Sequence, residues 1–210
     1  MTETETKKVN LRSVWITDLV NDSKTDEIIQ KLVELDMYDS EKPIYIFINT
    51  SGGTASNAVR IRSLLLNNIK SPLITVGVLS VISAGCALIP CGHVRVALVG
   101  TNFLYHEGRY FNRDISNFGI NDLRLEIKGL KEHNQRFLKL LTYKRPSHSS
   151  PCKITSIKLM ELIKNSPNGN FDITANEALK LGLIDKVIVH PGQLKDIEAK
   201  LLEKFSKKLI

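Results

Sequence analysis

Apolar positions along this chain switch repeatedly between a continuous run and a helical spacing. Ser13-Val14-Trp15-Ile16 reads as a first strand. Asn21-Asp22-Ser23 offers helix N-cap chemistry, and Ile28, Ile29, Leu32, Val33 and Leu35 then recur at helical spacing between Thr25 and Leu35. After the turn at Asp39-Ser40-Glu41-Lys42, Pro43 to Asn49 is almost wholly apolar, as expected of a strand covered on both faces. A Gly-Gly turn leads to a helix marked by Ala58, Ile61, Leu64, Leu65 and Leu66. Pro72 opens the strand Leu73–Val78, Ser83 to Ile89 reads as a buried helix, and Val94–Leu98 and Asn102–His106 are two further strands. Strand and helix alternating at this spacing predict βαβ units and a parallel sheet.

The rhythm changes after the last of these strands. Gly108 to Asn121 is polar and reads as a loop, and Leu123 to Leu141 predicts a long charged amphipathic helix with Leu123, Ile127, Leu130, Phe137, Leu138 and Leu141 as its apolar positions. A loop over Arg145–Pro151 precedes a helix over Thr155–Lys164 and a turn at Ser166-Pro167-Asn168-Gly169. Thr174 and Glu177, three apart, fit a capping box opening a short helix that Gly182 ends, and Leu183–Ile188 is a final strand. The expected organisation is a flexible tail at residues 1–10, one α/β domain over 11–192 with the long helix at about 123–141, and a basic amphipathic tail at 193–210. No internal repeat or second domain is evident.

Composition adds limits. A hydrophobic fraction of 42% and a charged fraction of 24% fit a globular domain with a sizeable core. The net charge of +7 is spread along the chain without a nucleic-acid-binding motif, so nucleic acid is not the expected partner. Three cysteines with no disulfide framework and no zinc spacing are expected to be buried, and no metal or cofactor is expected. The polar start, Met1 to Lys8, is no signal peptide, and the apolar stretch Leu73–Pro90 is broken by serines and glycines. A cytoplasmic protein without a membrane span is expected.

Three short stretches carry the candidate chemistry. Thr50-Ser51-Gly52-Gly53 ends an apolar strand, and glycine amides can approach a developing oxyanion with no Cβ in the way. Ser83-Ala84-Gly85 opens a segment of small and apolar residues, where a serine can act as nucleophile. His106 ends a strand 23 residues later, room for a helix and two short strands that bring it back beside the serine. Ser80 competes for the nucleophile role but lacks the following x-Gly pattern. His93, His133, His148 and His190 have no such setting and are expected at the surface. Taken without the other motifs, Ser83 is an ordinary helix-opening serine, His106 a satisfied core or rim histidine, and the Gly pair a common turn.

In this order the motifs resemble those of the Clp protease proteolytic subunit, ClpP, in the clan that also holds crotonases, from about Val14 to Val189. The family strand ending Asn-Ser-Pro-Gly-Gly stands here as Asn49-Thr50-Ser51-Gly52-Gly53, and Ala-Ser-Met-Gly-Ala as Ile82-Ser83-Ala84-Gly85-Cys86. Met-Ile-His-Gln-Pro stands as Leu104-Tyr105-His106-Glu107-Gly108, and the late Ala-x-Glu-Ala-x-x-x-Gly-Leu-Ile-Asp is matched by Ala175 to Asp185. The resemblance implies an α/β fold, a ClpP/crotonase-like spiral of βαβ units with a long projecting helix. It also implies Ser83 as nucleophile, His106 as general base, and the N–H groups of Gly52 and Ala84 as oxyanion donors. The third triad member falls on Asn170 where the family has Asp, with Asp172 in reserve. An Asn can accept from the imidazole but brings no full charge, and an Asp-to-Asn change in a Ser-His-Asp triad costs about 10⁴ in rate.

On this resemblance the chain is a serine-type endopeptidase subunit. It would cleave unfolded polypeptides through an acyl-enzyme inside stacked, heptameric rings, fed by a separate AAA+ unfoldase. No Walker-type motif is present for ATP. The long helix would interlock with its counterpart from a second ring. Two alternatives stand beside it. One is a weak or inactive structural subunit of the same fold, motivated by Asn170. The other is a crotonase-like acyl-CoA enzyme, for which Glu107 is the candidate carboxylate.

Overall fold

A computed structural model describes residues 12–109, 114–143 and 152–206. Seven strands and six α-helices alternate along them: β1 (Ser13–Val20), α1 (Asp22–Tyr38), β2 (Ile44–Gly53), α2 (Ala55–Asn67), β3 (Leu73–Ile82), β4 (Val94–Leu98), β5 (Asn102–His106), α3 (Ile120–Leu141), α4 (Ser156–Asn165), β6 (Asn170–Thr174), α5 (Ala175–Lys180), β7 (Lys186–Ile188) and α6 (Leu194–Ser206). The strands form one sheet in the order β1-β2-β3-β4-β7, all parallel, and β5 pairs with β3 and with β6. This is the mixed α/β architecture expected. The expected N-terminal tail at 1–10 and the loop at Arg145–Pro151 lie outside the described residues.

The central strands are buried on both faces because their sequences are apolar on both. Ile44, Ile46 and Ile48 join Leu32, Ile61, Leu65 and Leu159 in the larger core cluster. Tyr45, Phe47, Ile74 and Val76 face a second cluster with Leu194, Ile197 and Leu201 of α6. The basic C-terminal segment thus supplies a helix that covers one face of the sheet.

Three adjacent strands bend along one line. The β1–β2 register shifts between Thr17 and Leu19, and the β2–β3 register between Ile48 and Thr50. Asp18 and Leu79 adopt φ of 61° and 55° there, a region that costs an L-residue energy. Beyond the bend β3 changes partner. Its first half pairs with β4, from Ile74↔Val94 to Gly77↔Ala97, and its second half pairs with β5, from Ser80↔Asn102 to Ile82↔Leu104. The bend therefore carries the end of β3 away from the main sheet and sets it beside β5.

Two expectations are corrected. Ser83–Ile89 is not an α-helix: residues Ser83–Ala87 and Ile89–Cys91 form two short 3₁₀ turns. His93 is not a surface residue. It is buried, accepts a hydrogen bond at Nδ1 from the Leu73 N–H at 2.9 Å, and meets Phe205 edge-on at 4.8 Å. All three cysteines are buried, as expected.

Candidate active site

Ser83 stands where β3 stops. Its φ is 54°, so a serine holds a left-handed conformation between a strand and a tight turn. Strained non-glycine residues of this kind cluster at functional sites. The residues around it explain the local sequence. Gly85 must lack a side chain, because a β-carbon there would lie 2.4 Å from Thr50 Cγ2. Gly52, at φ 105°, packs against Ser83 itself, with an added β-carbon falling 2.8 Å from Ser83 Cβ and 3.3 Å from its Oγ. The Gly-Gly segment is the end of β2 rather than a turn after it, and its glycines serve close approach of backbone to the serine.

The expected oxyanion donors flank this point. Ala84 follows Ser83 and is buried. The Gly52 N–H donates to Thr50 Oγ1 at 3.1 Å, and the Thr50 hydroxyl in turn donates to the Asp18 carbonyl. A developing negative charge is a stronger acceptor than a neutral hydroxyl and competes for that N–H.

Strand pairing fixes where His106 falls along the chain relative to Ser83. Ile82 of β3 is opposite Leu104 of β5, so Ser83 lies one step beyond the ladder on one strand and His106 two steps beyond it on the other. Among the described residues the two side chains share no direct hydrogen bond. Instead His106 Nδ1 lies 2.6 Å from the Glu107 carbonyl oxygen. A carbonyl oxygen only accepts, so this contact is a hydrogen bond when Nδ1 carries the proton, the tautomer in which Nε2 of a neutral ring has the lone pair.

Strand β6 was not expected from the sequence, and it decides where the third position falls. It pairs antiparallel with β5, setting His106 opposite Asn170 and Leu104 opposite Asp172. Side chains of directly opposed residues share a face, so Asn170 is the immediate neighbour of His106 and Asp172 a diagonal one. Asn170 is half-buried and Asp172 exposed. The Asn170 side-chain oxygen accepts from an Arg109 guanidinium N–H at 3.3 Å, and the same guanidinium reaches the Asn168 carbonyl at 3.3 Å.

Further groups escaped the sequence reading. The Gly108 N–H donates to Asn134 Oδ1 at 2.7 Å, tying the segment after His106 to α3. The resembled motif has Pro at the position of Gly108, so the change to a residue bearing an N–H was the available signal. Burial pushes the Cys86 thiol and the Tyr105 hydroxyl up, so both stay protonated at neutral pH and neither offers an anionic nucleophile.

A strained serine at a strand end and a histidine on the strand beside it are carried on a mixed α/β sheet of the ClpP fold class. A family model described as Clp protease matches residues 3–191. The chain belongs to the Clp protease family. It is 28% identical over 186 residues to the ATP-dependent Clp protease proteolytic subunit 2 of Prochlorococcus marinus (strain NATL2A), spanning 87% of this chain and 84% of that protein. It is 29% identical, with the same coverage, to the ATP-dependent Clp protease proteolytic subunit 3 of Synechococcus sp. (strain CC9605). No helix among the described residues is long and apolar enough to cross a membrane.

Proposed function

We propose that this chain is a serine endopeptidase subunit in which Ser83 attacks the substrate carbonyl and His106 is the general base. The observation that carries the reading is Ser83 itself, held at φ 54° at the end of β3 with Gly52 pressed against its side chain. Nε2 of His106 takes the Ser83 proton as Oγ attacks, and the oxyanion forms beneath the N–H groups of Gly52 and Ala84. The same imidazole then protonates the leaving amine, and water resolves the acyl-enzyme by the reverse sequence.

On the family resemblance, the subunit assembles into stacked heptameric rings. It receives unfolded polypeptide from a separate ATP-driven partner. Treatment with a fluorophosphonate followed by intact mass and peptide mapping tests the chemistry. One adduct at Ser83, absent in Ser83→Ala, is expected; a folded, assembled protein that never acquires it overturns the reading.

Asn170 favours a second reading, a non-catalytic subunit that joins rings with an active partner. Its side-chain oxygen is held by Arg109, and it brings no negative charge to His106. An unlabelled parent that gains Ser83 labelling in Asn170→Asp would favour this reading.

A further inference from the structure

We infer that Asn134 is the positioning residue for His106, acting through the Glu107–Gly108 peptide in place of a triad carboxylate. The inference rests on the Ser83–His106 reading above. The C=O of Glu107 and the N–H of Gly108 belong to one peptide unit. No cis peptide bond occurs among the described residues, and in a trans unit these two groups point in opposite directions. The N–H end is held by Asn134 Oδ1 at 2.7 Å, and the C=O end meets His106 Nδ1 at 2.6 Å. Asn134, the peptide and the imidazole therefore form one continuous hydrogen-bonded chain. A hydrogen bond to one end of a peptide polarises the other, which makes the Glu107 oxygen a better acceptor.

The arrangement is built. Asn134 is 7% exposed although it is polar and lies on a helix. A β-carbon at position 108 would fall 2.8 Å from Asn134 Oδ1, so glycine is what lets α3 approach this peptide. A proline there would also remove the N–H. The chain performs the two tasks of a third triad member that need no full charge. It fixes the imidazole orientation and holds the proton on Nδ1, leaving Nε2 free to accept from Ser83. Asn170, the aligned position, is engaged by Arg109 instead.

The test uses full-length protein with ¹⁵N-labelled histidine, the His106 signals being assigned by their loss in His106→Gln. The ring nitrogen shifts of neutral His106 report its tautomer, and the rate of Ser83 labelling by a fluorophosphonate reports its use as base. The parent is expected to show the Nδ1–H tautomer. Asn134→Leu should mix the tautomers and slow labelling at least about tenfold, a part of the roughly hundredfold or more that a general base contributes. Asn134→Asp keeps the acceptor and should retain both parent properties.

An Nε2–H tautomer in the parent overturns the inference without any variant, so a misfolded Asn134→Leu does not shelter it. A folded Asn134→Leu with parent tautomer and rate overturns it too. A parent that shows the Nδ1–H tautomer but takes no label at Ser83 defeats the peptidase reading while leaving the hydrogen-bonded chain in place.

Discussion

Gly52 and Ser83 meet backbone to side chain, and both hold positive φ, 105° and 54°. Neither can move far, because β2 is paired on both sides and Ser83 is continuous with β3. Gly52→Ala places a methyl 2.8 Å from Ser83 Cβ and forces an L-residue into a glycine conformation. The expected result is a loss of stability of about 2–3 kcal/mol, combining backbone strain and overpacking. Ser83 labelling should fall by roughly a hundredfold, as when an oxyanion donor is lost. Denaturant unfolding and labelling kinetics check the two effects; an unchanged labelling rate would remove Gly52 from the site.

Arg95 and Asp185 form the most deeply buried ion pair among the described residues, their side chains 1% and 5% exposed. Asp185 accepts from Arg95 Nε at 3.0 Å, from its NH2 group at 2.7 Å and from its backbone N–H at 2.8 Å. The remaining guanidinium nitrogen donates to the Gly182 and Leu183 carbonyls at 2.9 and 3.2 Å. One Arg thus ties β4 to the turn that leads into β7. Asp185→Ala leaves that cation buried without its counter-charge and should cost about 3–5 kcal/mol. Loss of soluble protein, or a strongly lowered denaturation midpoint, is the expected measurement.

Asp36 gives the fold an acid-sensitive tie. Burial pushes its carboxyl up, but the Ser71 hydroxyl at 2.6 Å and the N–H groups of Ser71 at 2.7 Å and Lys70 at 3.1 Å, with Arg12 nearby, bring it below the usual carboxylate value. A depressed carboxyl stabilises the fold above its unfolded value, near pH 4, and loses that contribution as pH falls through the folded value. Asp36→Asn should lower stability by about 1–2 kcal/mol at pH 7, as expected for hydrogen bonds to a charged acceptor. The gap between parent and variant should narrow steadily below pH 4. Thermal unfolding across pH 3–7 checks the sign, and a constant gap would contradict it.

The strands β1 to β5 were legible because continuous apolar runs bounded by Gly, Pro and Asn have few other solutions. The site was legible only in part. Ser83, His106 and the Gly pair stand out as types in order, but β6 did not. Its five residues, Asn170 to Thr174, carry only the alternation of Phe171 and Ile173, squeezed between a Gly turn and a helix cap. Ser83–Ile89 has helical composition, yet Ser83 takes a left-handed φ and tight 3₁₀ turns follow. That outcome depends on β2 passing close behind it. The link from Asn134 to Glu107 joins residues far apart in sequence through a main-chain group, which no pattern of side chains announces.

Helix α3 divides into two halves with different surroundings. Asn134, Phe137, Leu138 and Leu141 in its second half are buried against the body, while Ile120, Leu125 and Ile127 in its first half are 71%, 67% and 55% exposed. Ile120 and Ile127, seven residues apart, share one face of the helix while Leu125 stands on the other, and a second copy of the chain is the expected cover for the Ile120–Ile127 face. Ile120→Glu with Ile127→Glu should therefore reduce the particle mass measured by light scattering while leaving the circular dichroism of the subunit intact. Because Asn134 lies on the same helix, loosening α3 should also slow labelling of Ser83, by about tenfold if the base loses its orientation. A double variant of parent mass would show that this face is not the contact. A smaller particle labelled at the parent rate would show that assembly and the orientation of His106 are independent.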